Sequence, residues 1–296
     1  MAAPTELAVP GGLEPAVIAP PPRSGRLGRL LALGGIWAPV ALLAAIFFLC
    51  FIWPIIGGIP DPTGGMILDA NLPSFSHGHL LGTDATGNDE FSRLLNGGRT
   101  SLEIALAVNA IGIVIGGLLG AFAGFVGGVR DAIVMRILDV LIAFPSLVLA
   151  VAIAERLGPG QLHAIYALSF FSIPAFARVA RAATLRVREQ NFVVAADLAG
   201  TGRLRTLVRH IGPNIMAEII TFALLGMGLT VVLEGALSFL GLGIPPPAPS
   251  WGNMIASGEG ILSAQPKFVL LPSAALVITV IAFNLLGEGL RARSSR

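Results

Sequence analysis

The chain has few charged residues and few of the residues that build metal or nucleotide sites. Charged residues make up 12% of its 296 residues against 54% hydrophobic ones, and a soluble domain could not bury that much apolar surface. The net charge of +2 gives no indication of nucleic-acid binding. A single cysteine, Cys50, excludes an internal disulfide, and the scattered histidines form no i,i+4 pair that would predict a metal site. The chain also lacks a G-x-x-x-x-G-K-[ST] motif, so we expect no P-loop nucleotide site in it.

Six apolar segments are long enough to cross a membrane, since a helix needs about 20 residues to span a hydrocarbon core of about 30 Å. The segments are Ile36 to Ile56, Leu102 to Val126, Ile133 to Ala154, Leu162 to Val179, Ile215 to Leu242 and Phe268 to Leu290. The fourth contains Pro174, which neighbouring helices can accommodate within a membrane. The sequence therefore predicts an all-α, polytopic membrane protein with six transmembrane helices.

The basic residues predict the orientation of these helices. With both termini in the cytoplasm, all but four of the 19 lysine and arginine residues lie on the inner side. The proline-rich start predicts a disordered tail, and the absence of a basic residue before Arg23 argues against a signal peptide. The predicted segments are a cytoplasmic tail (1–30), a first transmembrane helix (31–58), an external loop (59–100), a five-helix core (101–290) with a cytoplasmic loop (178–214) and an external loop (243–267), and a cytoplasmic tail (291–296).

Glycines recur at every fourth position of the second apolar segment and share one face of a helix. Another helix can approach this face closely because no side chains intervene. The stripe predicts tight packing in the bundle, and a surface that slides between two conformations is the alternative. The glycines are Gly112, Gly116, Gly120, Gly124 and Gly128.

Two carboxylates, Glu234 and Asp139, lie within apolar segments, where charges are costly and normally face protein or water. One interpretation is that they line a path for a substrate or for protons. The other is that they pair with arginines such as Arg136 or lie at a hydrated boundary of the bundle.

A polar, arginine-bearing segment separates the fourth and fifth apolar segments. Residues 191–214 read NFVVAADLAGTGRLRTLVRHIGPN. The alanines favour a helix, Gly200 and Gly202 predict a stop or a tight bend, and Pro213 ends a second helical pattern. Two short helices at an angle can fit a groove on a partner protein. The alternative is a solvated basic loop that only enforces the topology.

This segment resembles the EAA loop of ABC importer permeases, which is the coupling helix that docks on a separate ATPase. That loop has the spacing Glu-Ala-Ala, three residues, Gly, nine residues, then Ile-x-Leu-Pro. Ala195, Ala196, Gly200 and Pro213 stand in register with it.

Most of the chain resembles, more narrowly, the C-type permease of dipeptide, oligopeptide and nickel ABC importers. The matching strings are LLGTDATGNDEFSRLLNGGRTSL (80–102), GAFAGFVGGVRD (120–131), MRILDVLIAFPSLVLA (135–150), LGPG (157–160), ALSFLGLGIPPPAPSWGNM (236–254) and FNLLGEGLR (283–291). Together these matches are far more specific than any one of them.

The sequence departs from the family pattern at several positions. Val194 replaces the EAA glutamate, Asp197 stands where arginine is usual, Gly212 replaces the leucine before the proline, and Asn88 replaces the arginine of a GRD string. Docking on an ATPase is still implied, but its electrostatic details are open. The residues that the resemblance assigns to coupling are Val194, Ala195, Ala196, Asp197, Gly200, Arg203, His210 and Pro213.

The resemblance implies a type I ABC importer permease fold in the bacterial plasma membrane. It also implies four partners, namely a homologous permease, two ATPase subunits and an extracytoplasmic binding protein that delivers a peptide. This chain would then be no enzyme and would bind no cofactor, because ATP and Mg²⁺ bind to the ATPases. The alternatives are a nickel-chelate or haem importer permease of the same family, or an ion-coupled secondary transporter that uses Glu234 and Asp139.

Overall fold

The computed structural model describes residues 36–76 and 78–294, and within these ranges the chain forms helices and no strand. The predicted tail 1–30, the start of the first predicted helix and the last two residues lie outside the described residues. The helices in chain order are α1 (Trp37–Ile56), α2 (Glu90–Val126), α3 (Gly128–Ile142), α4 (Ser146–Leu157), α5 (Gln161–Arg188), α6 (Asn191–Leu198), α7 (Arg203–Phe239), α8 (Trp251–Glu259) and α9 (Lys267–Ser294).

Five described helices, α1, α2, α5, α7 and α9, are long and apolar enough to cross a membrane. Helices α3 and α4 form a pair bent by 80°, which makes a sixth span if it is counted as one. The predicted all-α, multi-pass fold class is therefore confirmed. The third predicted span is not one straight helix, because Pro145 lacks an amide hydrogen and disfavours helical backbone at Phe144.

Helix α2 begins earlier than expected, at Glu90, so residues 90–100 of the predicted external loop are helical. Asp89 caps this helix, since its carboxylate accepts a hydrogen bond from the amide of Ser92 at 2.7 Å. A helix of 37 residues is about 55 Å long and exceeds the hydrocarbon core. Part of it therefore extends beyond the hydrocarbon core.

Two other predicted loops are partly helical. Helix α5 continues to Arg188, which shortens the connection that was expected to begin at residue 178. The predicted external loop 243–267 contains α8, which begins with a capping box in which Ser250 and Asn253 bond to each other's backbone.

Glycines allow α2 and α5 to pack with their backbones in contact. A Cβ atom added at Gly116 would collide with the carbonyl oxygen of Ile173, and one at Gly120 would collide with that of Ala177. In a membrane, where helices gain little by leaving lipid, such close packing supplies much of the attraction between them.

The same contact includes Gly112 and Gly124 but not the fifth predicted glycine. A Cβ atom at Gly112 would collide with the hydroxyl of Ser172, and one at Gly124 would lie 2.9 Å from the carbonyl oxygen of Arg181. Gly128 has a φ of +62° and no atom within 4 Å of an added Cβ. It lies at the turn between α2 and α3, outside the contact with α5.

Candidate functional site

The short helix α6 connects the long helices α5 and α7. Two residues separate it from α5 and four separate it from α7. Val193 is its buried residue, and it packs in an apolar cluster with Ile211 and Ile215 of α7. Helix α6 is thus held to the bundle by a side-chain contact as well as by its short connections.

The C-terminal end of α6 is a Schellman motif. The amide of Gly200 donates to the carbonyl of Asp197 at 2.9 Å, and the amide of Thr201 donates to that of Ala196 at 3.0 Å. Gly200 has a φ of +76°, a conformation that favours glycine. Gly200 was predicted from the sequence to end a helix, and in the structure it ends α6 through these two hydrogen bonds.

Most of the residues assigned to coupling are accessible on this segment. Ala196 and His210 are half-buried, and the others face solvent. The exposed ones are Val194, Ala195, Asp197, Gly200, Arg203 and Pro213.

Sequence reasoning missed an exposed apolar surface that surrounds these residues, here called the α6 surface. It consists of Phe192, Leu198, Leu204 and Val208. Leu198 is 85% exposed, which is costly in water for so apolar a side chain. Exposed apolar side chains gathered in one segment make it a candidate for an interaction site. The spacing of apolar residues in the segment carried this signal.

A cavity of about 540 Å³ lies between α6 and the ends of α2 and α5. Phe125 and Val126 of α2 line it together with Val193 and Asp197 of α6. Arg188 closes the far side, since its guanidinium donates to the carbonyl of Gly124 at 2.8 Å. One flank of α6 is therefore not covered by the bundle.

Asp139 pairs with Arg178 of α5 at 2.6 Å, and not with Arg136 as one interpretation suggested. On the same two helices, Asp131 of α3 accepts two hydrogen bonds from Arg181 of α5, at 2.6 and 2.7 Å. This bidentate pair, which the sequence did not single out, joins α3 to α5. Both pairs border an open, charged hollow.

Glu234 is fully buried, with 0% of its surface exposed. One carboxylate oxygen accepts a hydrogen bond from the hydroxyl of Ser238 at 2.7 Å, and the other has no hydrogen-bond partner among the described residues. In this conformation Glu234 faces the interior of the chain and not an open path. Glu234 and Asp139 thus lie on different helices, α7 and α3, and have different partners.

The segment that follows α7 is anchored to α2 by Trp251. Its indole nitrogen donates to the carbonyl of Leu94 at 3.0 Å, and its amide donates to the hydroxyl of Ser101 at 3.3 Å. Arg93 of α2 donates to the carbonyl of Pro247 at 3.1 Å. These bonds hold α8 against the first turns of α2.

The turn before α2 is built around Asp84. Its carboxylate accepts hydrogen bonds from the amides of Thr86 and Asn88, at 2.8 and 2.9 Å. Burial alone would raise the pKa of Asp84, but the hydrogen bonds from Asn88 and Thr86 outweigh it and hold the pKa below its usual value.

A second cavity, here called the external cavity, lies between this turn and α8. Its volume is about 230 Å³. Its lining contains two carboxylates, Asp84 and Glu90, the guanidinium of Arg93, amide and hydroxyl groups, and apolar side chains. The lining residues used below are Asn88, Glu90, Pro246, Met254, Ser257 and Phe268.

Known proteins resemble this chain over most of its length. The glutathione transport system permease protein GsiD of Pectobacterium atrosepticum is 41% identical over 73% of this chain and 72% of its own. The di/tripeptide transport system permease protein DppC of Pseudomonas aeruginosa is 42% identical over 72% and 70%. The probable D,D-dipeptide transport system permease protein DdpC of Escherichia coli is 40% identical over 76% and 75%.

A family model places the chain among transport proteins, as these relatives do. The model described as "Binding-protein-dependent transport system inner membrane component" matches residues 116–296, which include α5, α6 and α7. This chain belongs to the family of binding-protein-dependent transport system inner membrane components.

Proposed function

We propose that this permease forms half of a translocation path and that α6 receives force from an ATPase. The observation that carries the proposal is the α6 surface, a set of exposed apolar residues on α6 and on the first turns of α7. Arg203 and Arg205 border it and supply charge for a partner. An interface of this kind needs an apolar centre with a polar rim.

The orientation of the chain supports this role. With both termini in the cytoplasm, the arginines of the α5–α7 connection lie on the inner side, as the distribution of positive charge favours. ATP and Mg²⁺ then bind to partner subunits at that side, and this chain binds no cofactor. A homologous permease completes the path.

Because its connections are short, α6 can transmit a movement to α5 and α7. Closure of the ATPase dimer on ATP pulls α6, and α5 and α7 move with it because only two and four residues intervene. The smooth glycine face of α2 allows α5 to shift without interlocking side chains. The bundle opens outward, receives its substrate from a binding protein, and returns after hydrolysis.

We infer that the substrate is a short peptide. The names of the three relatives refer to glutathione, di- and tripeptides, and D,D-dipeptides, which are all peptides of two or three residues. Uptake of labelled dipeptides by the assembled transporter tests this inference, with a nickel chelate and haem as competing substrates.

The coupling role is tested with Leu198→Asp in the assembled transporter. The matched control is Leu68→Asp, because Leu68 is 93% exposed in the segment before α2. A charge in the centre of the α6 surface should reduce ATP-driven uptake at least tenfold, whereas the control should keep it. Equal uptake by both variants, or uptake that survives ATP depletion and stops with an uncoupler, would overturn the proposal.

A further inference from the structure

Glu90, in the first turn of α2, is a buried carboxylate that faces a cavity. Its surface is 3% exposed, and it lines the external cavity. Its amide donates to the carbonyl of Gly82, but its carboxylate makes no hydrogen bond or ion pair with residues 36–76 or 78–294. A charge that is removed from water without a partner is costly, so a site of this kind favours a cationic occupant.

The neighbouring carboxylates each have a partner. Asp89 pairs with His79 at 2.7 Å, and Asp84 lies 3.4 Å from the guanidinium of Arg93. Glu90 is therefore the carboxylate of this group that lacks a close cation.

The two nearby cations are held by other acceptors. Arg93 donates to the carbonyls of Pro62 and Pro247, both at 3.1 Å, in addition to its contact with an aspartate. The ammonium of Lys267 donates to the carbonyl of Leu81 at 2.8 Å. Turning either cation toward the free carboxylate would break bonds that hold the external segments together.

The external cavity suits one long cationic side chain. Its volume of about 230 Å³ is below the roughly 300–1,000 Å³ of a typical small-molecule site. Pro246, Met254 and Phe268 offer apolar contacts to a methylene stem, while Asn88 and Ser257 offer polar contacts near its end. Lysine and arginine have this combination of an apolar stem and a charged end.

We propose that the external cavity receives a lysine or arginine side chain of the extracytoplasmic binding protein. This inference rests on the proposed function, in which such a protein docks on the outer face. The buried, unpaired carboxyl of Glu90 and the shape of the cavity indicate the partner's chemistry, and docking supplies the missing cation. Pairing inside a cavity would make this contact specific as well as attractive.

The cavity itself is tested by NMR on the purified full-length chain in nanodiscs, with labelled methionine methyl groups. Met254 lines the cavity, and its signal is assigned with Met254→Leu. We expect n-butylammonium to shift this signal saturably, Glu90→Gln to abolish the shift, and n-butanol and butyrate to have no effect. Glu103→Gln, which removes a half-buried carboxylate of the same helix that is paired with Arg99, should keep the shift.

Two results of this experiment would overturn the inference. One is the absence of any Met254 shift with n-butylammonium, which would mean that the Glu90 carboxyl is simply neutral. The other is an equal shift in the wild-type chain and Glu90→Gln. Unchanged signals from the other methionines show that each variant is folded.

The partner is tested in the assembled transporter by measuring the affinity for its binding protein. Glu90→Lys should weaken docking at least tenfold, and reversal of one basic residue of the binding protein should restore it. Unchanged docking with intact ATP-driven uptake would overturn this inference alone, whereas absence of ATP-driven uptake in the wild-type transporter would overturn the proposed function. A Met254 shift caused by Ala-Ala but not by the binding protein would identify a substrate amine and contradict the proposed partner.

Discussion

Single glycines determine how closely α2 and α5 approach each other. The α2 face contains Gly116 and Gly120, where an added methyl group would meet backbone atoms that cannot rotate away. On the same helix, Gly117 has no atom within 4 Å of an added Cβ. Within α2, the i, i+4 pattern therefore separates the glycines that pack against α5 from Gly117, which does not.

We predict that Gly120→Ala destabilises the fold by about 1–3 kcal/mol, as overpacking does, because α2 must move away from Ala177. Gly117→Ala is the control and should be neutral or slightly stabilising. Thermal unfolding of the purified protein in detergent measures both. Similar melting temperatures for the two variants would contradict the backbone contact.

The turn at Asp84 should make stability depend on pH. Because the pKa of Asp84 is lowered in the folded chain, its contribution is present above the unfolded pKa and is lost as pH falls through the folded pKa. Below about pH 4, the melting temperature of the wild type should therefore fall more steeply than that of Asp84→Asn, which has no charge to titrate there. Parallel pH profiles of the two proteins would contradict this prediction.

At the scale of elements, α6 is fixed by its cap and by one buried side chain. Gly200 adopts a left-handed conformation, whereas Gly202 has a φ of −60° that any residue can adopt. The two glycines are close in sequence and both are exposed. Only Gly200 has a backbone conformation that favours glycine over other residues.

We predict that Gly200→Ala weakens the end of α6 by about 1–2 kcal/mol, the usual cost of a left-handed conformation with a Cβ atom. Gly202→Ala should change stability by less than about 0.5 kcal/mol. Hydrogen exchange at the amides of Gly200 and Thr201, which close the cap, reports the difference. Equal exchange in both variants would show that the cap does not depend on glycine.

Long apolar runs predicted the membrane helices, and alanines followed by Gly200 predicted α6. The start of α2 was missed because its first turns contain Glu90, Arg93 and Arg99, whose helical conformation depends on the Asp89 cap and on contacts with α8. Local patterns cannot reveal such contacts between distant segments.

The candidate site, like the fold, was predicted where it depends on local sequence and missed where it depends on contacts between distant segments. The residues assigned to coupling come from the resemblance of one local segment to the EAA loop, and most of them are exposed. The burial of Glu234, the partner of Asp139 and the external cavity depend on which helices meet. Those features became visible only with the fold.

At the scale of the whole molecule, the two faces of the chain have different chemistry. One end presents the apolar and arginine-bearing α6 surface, and the other presents the external cavity with an unpaired carboxylate. The proposed function, with force from one side and substrate from the other, requires two different contact surfaces. Long helices such as α7 connect the two ends, so movement at one end is transmitted to the other.

The central claim is that α6 lies on the cytoplasmic side beneath an ATPase, and cysteine labelling tests it most directly. In a Cys50→Ala background, Leu198→Cys is compared with Leu68→Cys, which has similar exposure. We predict that a membrane-impermeant maleimide labels position 68 in intact cells, and that it labels position 198 only after the membrane is opened and the ATPase subunits are removed. Labelling of position 198 from outside intact cells would contradict the claim.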